Sequence, residues 1–487
     1  MIRKSFPLLS LAALLALSAC STNEATGRSQ FTGLLPTSQE LSMGAQAQGE
    51  AEKTFGRLDD PKVQAYVERI CNKLIPGVER HDVTYKCTVL DSPVINAFAL
   101  PGGYVNINRG LLAFANSEAE VASVLAHELG HVTARHISER YTQSTLTQLG
   151  AAALSIGIGN SSANQLIGLG ANAWLASYSR AQESESDDLG IRYLSRAGYD
   201  PMAMADMLST ISRSAQLEAT EEGEDYKEMR SFMATHPLTS DRIAHARKIA
   251  AGYPAYTGDD GVNTHMNAIA GIVYGDSPKD GYVRGNEFIH PAMGFAFTVP
   301  GGFNVKNTPE RVIGLSRSGS GAVFTFDGAQ KSASLDPAAY IQQVWTKGTV
   351  PLTDVQNITV NGMRAATAQA QGTVNGKQAL MRMVAIEWSP GQVYRFQFAM
   401  PQTTNNAEIE AFKTTTYSLR PITAAEKNNA MPQRIQIVTA GANDSAASLS
   451  RRMPFNDGLN ETRFRALNGL TNGETVQAGR KYKIVVQ

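Results

Sequence analysis

With 487 residues the chain has room for two to four domains, each with an ample core. Its 44 lysines and arginines balance 44 aspartates and glutamates, and no basic block occurs, so a nucleic-acid partner is not indicated. Cys71 and Cys87 are too few, and too far from the histidines in pattern, to suggest a zinc site of their own.

The chain opens with Arg3 and Lys4, then an apolar run from Phe6 to Leu17, which reads as a secretory signal too short to remain a membrane span. Polar residues from Ser21 to Gln30 read as a tether. Helices are expected at Leu41 to Leu58 and Pro61 to Leu74, and strands at Thr84 to Leu90 and Gly103 to Asn108. Next, Val121, Val124, Leu125, Leu129 and Val132 recur at helical spacing, which predicts a helix with a buried side. Ser117 followed by Glu120 makes a capping box at its start.

That helix carries His127-Glu128-Leu129-Gly130-His131. An α-helix turns about 100° per residue, so histidines four apart stand one turn above each other and both imidazoles reach one metal ion. Glu128 then sits beside the metal as a general base. Together these residues describe a zinc site that polarises a water and aims it at a carbonyl.

A catalytic zinc needs a third protein ligand. His136, nine residues after His127, lies about 180° round an uninterrupted helix and reads as a polar-face residue. Downstream, Glu183 and Asp187 are four apart and share a helix face, whereas Glu185 points elsewhere. Glu183 would supply the third ligand, and Asp187 would accept a hydrogen bond from the outer nitrogen of a ligating histidine. The stretch from Leu149 to Ala176 is apolar, but Asn160 to Gln165 divides it into halves too short to span a bilayer, so packed helices or a lid are expected.

HExxH followed some fifty residues later by Ser179-Arg180-x-x-Glu183-x-x-x-Asp187 resembles the gluzincin metallopeptidases of the CAAX prenyl protease and heat-shock protease HtpX type. Within that group the chain most resembles the soluble periplasmic lipoprotein branch. Asn96-Ala97-Phe98-Ala99-Leu100-Pro101-Gly102-Gly103, running into Tyr104-Val105-Asn106-Ile107, is similar to the family segment that leads into the strand beside the cleft. Gly198-Tyr199-Asp200-Pro201 and His236-Pro237 with Asp241-Arg242-Ile243 also fit, and Ser186 stands where the family usually has alanine. The resemblance implies one zinc ion per chain, a substrate-pairing edge strand at Gly103, Tyr104 and Val105, and His236 as a displaceable fourth ligand or an oxyanion stabiliser. It also implies unfolded or misassembled envelope proteins as substrates.

Leu17-Ser18-Ala19-Cys20 resembles the bacterial lipobox, which implies a lipid on Cys20 and, with Ser21 next, an outer-membrane address facing the periplasm. Cys71 and Cys87 form an even pair in an exported chain. A disulfide between them would be worth about 3 kcal/mol, and two buried free thiols are the alternative.

The expected domains are a signal and lipobox at 1–20, a tether at 21–33, a protease domain at 34–251, a linker at 252–285, an α+β domain at 286–422 and a terminal module at 432–487. In the α+β domain, strands are expected at Gly294 to Pro300, Ala322 to Phe326, Gln378 to Trp388 and Gln392 to Ala399. Helices are expected there at Pro337 to Trp345 and Ala407 to Thr416, with His290 structural. The terminal module reads strand, helix, helix, strand and resembles a LysM-like peptidoglycan-binding module whose usual start is degraded to Gly441-Ala442-Asn443-Asp444-Ser445. The fold class is therefore multidomain: a mainly helical zincin-like protease domain with a small β edge, then an α+β domain and a βααβ module. The expected function is a zinc endopeptidase of the cell envelope. Its rivals are a selective processing peptidase and an envelope scaffold or chaperone with a structural zinc.

Overall fold

The computed structural model describes residues 20–158, 177–222, 235–237, 239–308, 310–374 and 376–487. The signal run therefore lies outside them, as does most of the apolar stretch ending at Ala176. The described chain divides into two units, one comprising residues up to Gly275 together with Gln433–Gln487, the other Asp276–Pro432. Residues 252–275 and the terminal module thus pack with residues 34–251, where the protease domain is expected.

The first unit begins with a hairpin, β1 (Cys20–Thr22) paired antiparallel to β2 (Ser29–Phe31), where a loose tether was expected. Helix α1 (Thr37–Phe55) follows. In α2 (Pro61–Leu74) the Asp60 carboxylate accepts hydrogen bonds from the Lys62 and Val63 N–H groups and Pro61 occupies the first turn, a combination that fixes where the helix starts. Its face of Val63, Tyr66, Val67, Ile70, Cys71 and Leu74 is buried. Cys71 is bonded to Cys87 on β3 (Lys86–Leu90), tying helix to sheet.

Strands β4 (Ala97–Leu100) and β5 (Tyr104–Asn108) complete a sheet of order β3-β5-β4. This corrects the expectation for the edge strand. Gly102 and Gly103 have φ of 76° and 95°, a region L side chains rarely adopt, and they turn the chain so that Tyr104 pairs with Leu100. Tyr104 and Val105 therefore lie in the central strand, parallel to β3 on one side and antiparallel to β4 on the other. The edge strands are Lys86–Leu90 and Ala97–Leu100.

Helices α3 (Arg109–Phe114), α4 (Glu118–Thr133), α5 (His136–Ile158), α6 (Arg180–Arg196), α7 (Ala203–Glu222), α8 (Ser240–Ala250) and α9 (Val262–Ile269) complete this part of the chain. Ser117 caps α4 by accepting from the Glu120 N–H, and α4 is buried along its whole length. Its tight packing on α6 needs two glycines. A Cβ on Gly130 would lie 2.7 Å from Ser186 Oγ, and one on Gly190 would lie 3.1 Å from the His127 nitrogen. Close approach of these helices is what brings the two halves of the sequence motif together.

The terminal segment closes this unit in the expected order: β17 (Arg434–Thr439), α11 (Ala446–Ser450), α12 (Asn460–Leu467) and β18 (Lys481–Val486), with the two strands antiparallel. Lys483 on β18 is fully buried. Its ammonium donates to the carbonyls of Ala113, Phe114 and Ala115 at 2.9, 3.0 and 2.6 Å, satisfying carbonyls that the end of α3 leaves open.

The second unit holds a four-stranded sheet containing β6 (Tyr282–Arg284), β7 (Glu287–His290), β8 (Phe295–Thr298) and the short β16 (Arg420–Pro421). Its larger antiparallel sheet runs β12-β13-β14-β15-β11-β10-β9 and comprises β9 (Phe303–Asn307), β10 (Val312–Ser316), β11 (Val323–Gln330), β12 (Thr353–Val360), β13 (Met363–Val374), β14 (Lys377–Ser389) and β15 (Gln392–Pro401). Helix α10 (Asn406–Ser418) places Phe412 among Phe288, Phe295, Phe297, Phe324, Phe326, Phe396 and Phe398. The strands that carry Phe295, Phe324, Trp388 and Phe396 were foreseen. β13 was not, because four of its five buried positions are alanines, which carry none of the β-branched or aromatic signal that marks a strand.

Candidate active site

On α4, His127 and His131 face each other across one turn with their Nε2 atoms 3.0 Å apart. Helix α6, started by a capping box between Ser179 and Gln182, brings the Glu183 carboxylate to 3.6 Å from His127 Nε2 and 3.5 Å from His131 Nε2. His236 closes the group, its Nδ1 2.9 Å from Glu183 and 3.3 Å from His127 Nε2. One donor atom from each of the four lies within 4.8 Å of the others, and all four residues are buried.

This donor set of imidazoles and a carboxylate suits zinc. A second observation fits a bound metal with its water. Glu128 is fully buried, yet neither of its carboxylate oxygens closes a hydrogen bond of normal geometry, although the Ala99 amide faces the carboxylate and His236 Nε2 lies 3.5 Å away. A buried carboxylate left so poorly satisfied is costly unless something else occupies the site. Burial pushes the Glu128 carboxyl up and holds His131 well below the usual imidazole range. Burial opposes ionisation of Glu183 as well, but the His236 and His131 imidazoles beside it hold its carboxyl well below the usual range.

Asp187 stands where its spacing placed it and accepts from His127 Nδ1 at 2.9 Å. Ser186 donates to the His127 carbonyl at 2.6 Å, a bond the more usual alanine lacks. Two other residues escaped the sequence. Arg242 on α8 donates through Nε and Nη2 to Asp187, both at 2.9 Å, and its Nη1 lies 2.6 Å from Glu183, so one guanidinium braces both carboxylates. Its place in the motif after His236-Pro237 gave its position but not this role. Tyr178 stacks on His131 with ring centroids 3.7 Å apart, and only its position just before the cap Ser179 could have pointed to it.

His136 requires a correction. It is fully buried beside the site, its Nδ1 2.8 Å from His131 Nδ1 and its Nε2 2.9 Å from Glu185. The extrapolation failed because α4 does not continue: it ends at Thr133, Arg135 takes φ 56°, and His136 begins a new helix aimed back at the metal group. Of the remaining expected residues, Gly103 lies in the turn, Tyr104 and Val105 in the central strand, and the Cys20 backbone in β1.

A buried metal group of two histidines and a glutamate, with a second glutamate poised beside it, defines a zinc metallopeptidase. Residues 61–250 match the model of peptidase family M48. The β-barrel assembly-enhancing protease of Yersinia pestis is 29% identical over 225 residues, 44% of this chain and 45% of that protein. A putative β-barrel assembly-enhancing protease of Vibrio cholerae is 31% identical over 211 residues, 40% of this chain and 41% of its own. Metalloprotease LoiP of Escherichia coli is 29% identical over 38% of this chain and 71% of its own length. The chain thus spans less than half the length of the first two relatives.

Proposed function

We propose that this chain is an endopeptidase of the cell envelope that cleaves misfolded or stalled exported proteins while held to the outer membrane by lipid on Cys20. The observation that carries the peptidase reading is the poorly satisfied Glu128 carboxylate beside the His127, His131 and Glu183 donors. Zinc bound there supplies Lewis acidity toward a peptide carbonyl and a water made easier to deprotonate. Glu128 takes the proton of the attacking water and delivers it to the leaving amine. His236, its Nδ1 2.9 Å from Glu183, directs Nε2 toward the Glu128 side, where an Nε2–H can donate to the oxygen that gains charge. An extended substrate adds to the outer edge of β4, near Ala99, in place of the β5 pairing expected from sequence. The names of the relatives support the envelope-protein substrates, and the lipobox resemblance supports the anchor.

Replacing Glu128 by Gln keeps the shape and removes the base. The Glu128→Gln protein should bind zinc like the parent and cleave an unfolded model substrate such as casein roughly a thousandfold more slowly. Undiminished cleavage would refute the assignment.

A further inference from the structure

The two ligand histidines are supported differently. His127 donates from Nδ1 directly to the Asp187 carboxylate, whereas the outer nitrogen of His131 meets another imidazole, that of His136. The network fixes the protons. A lone pair of His131 Nε2 must face the metal, so its hydrogen is on Nδ1 and is donated to His136 Nδ1, which accepts. The His136 hydrogen is then on Nε2 and is donated to Glu185, a carboxylate that can only accept. Glu185 in turn accepts from Arg28, whose Nε and Nη2 lie 3.4 and 3.1 Å away.

Arg28 belongs to the loop of the N-terminal hairpin, and that hairpin is tied to the same end of the zinc helix. Asn23 Nδ2 donates to the Thr133 carbonyl at 2.9 Å and Gln30 Nε2 to the Ala134 carbonyl at 2.6 Å, both of them last-turn groups that no intrahelical partner reaches. Arg192 on α6 donates to the Ala25 carbonyl at 3.0 Å, joining the hairpin to the helix that carries Glu183. Asn23 and Gln30 are both buried, so these are bonds of a packed interface.

We propose that Arg28, Glu185 and His136 are positioning residues for the metal: a relay through which the N-terminal hairpin holds His131 in its ligating tautomer and orientation. The inference rests on zinc occupying the His127, His131 and Glu183 group. Residues 20–31 are thereby part of the metal site's support, and a membrane anchor at Cys20 would pull directly on the element that steadies a ligand.

The test is a zinc competition titration against a chromophoric chelator on the full-length protein, with melting temperature read in parallel. Glu185→Ala should weaken zinc binding by roughly 10- to 100-fold, the scale seen when outer partners of ligating histidines are removed. Arg28→Ala alters a half-exposed side chain and so should fold; it should weaken binding by several-fold alone and add nothing in the Glu185→Ala background. Glu139→Ala breaks the other half of the Arg28 fork, leaves the His136 to Glu185 hydrogen bond in place and should leave zinc affinity at the parental value. Parental affinity in a folded Glu185→Ala protein, or additive losses in the double variant, overturns the relay. A parent that binds no zinc would instead overturn the metal reading beneath it.

Discussion

The two units solve the problem of an interior in opposite ways. The second fills its core with rings: Phe295 lies 4.5 Å from Tyr394, Phe297 4.6 Å from Phe326 and Phe398 4.6 Å from Phe412, and its lone histidine, His290, accepts an ordinary turn bond from the Met293 N–H. The first unit buries His127, Glu128, His131, His136, Glu183, Asp187, His236, Arg242, His265 and Lys483. Taking charges out of water costs several kcal/mol per ion before any pairing is counted. A fold that needed only stability would choose the aromatic solution, so the charged cluster around His127, His131 and Glu183 marks where chemistry is carried out.

Three experiments can break or sharpen this contrast. The largest effect should come from the aromatic unit. Phe396→Ala empties a fully buried position and should cost about 4 kcal/mol, lowering the second unit's denaturation midpoint while zinc affinity stays parental. A matching loss of zinc binding would show that the two interiors are not independent. Next, Arg242→Met leaves Asp187 and Glu183 buried without their shared cation and should cost about 3 kcal/mol in the metal-free protein. If the contrast holds, adding Asp187→Asn returns part of that loss, which a double-mutant cycle measures; strict additivity would deny the coupling.

The smallest effect is acid sensitivity. Burial, with the Lys483 charge nearby, pulls the His265 imidazole down to about 3, while its Nε2 donates to the Ala115 carbonyl and the Tyr66 hydroxyl meets Nδ1. Below about pH 6.5 the unfolded chain binds a proton here that the folded chain refuses, so stability is full above that value and falls as pH drops toward 3. Between pH 7 and pH 4.5 the parent should lose about 2 kcal/mol more than His265→Gln in urea titrations of the first unit. Equal losses would remove His265 from the account.

What was legible in the sequence was what repeats locally. His127 with His131, and Glu183 with Asp187, share helix faces four residues apart, and Ser117 marks where the first of those helices starts. Unreadable features depend on backbone turns without a compositional mark or on distant partners. Nothing in Ala134-Arg135 announces the positive φ that turns His136 back toward His131, and the bracing role of Arg242 exists only once α8 meets α6. The glycine pair at 102–103 was noticed, but only the pairing of Leu100 with Tyr104 reveals that it makes a hairpin and shifts the free edge to β4.

The contact of Lys483 with the carbonyls of residues 113–115 also sets an order of events during synthesis. The strand bearing this lysine leaves the ribosome after the whole aromatic unit. The zinc ligands are therefore translated long before the body that holds them is closed. The first unit is assembled from segments on either side of the aromatic unit, a long-range closure of the kind that slows folding, and its body closes only after residues 276–432 have been made.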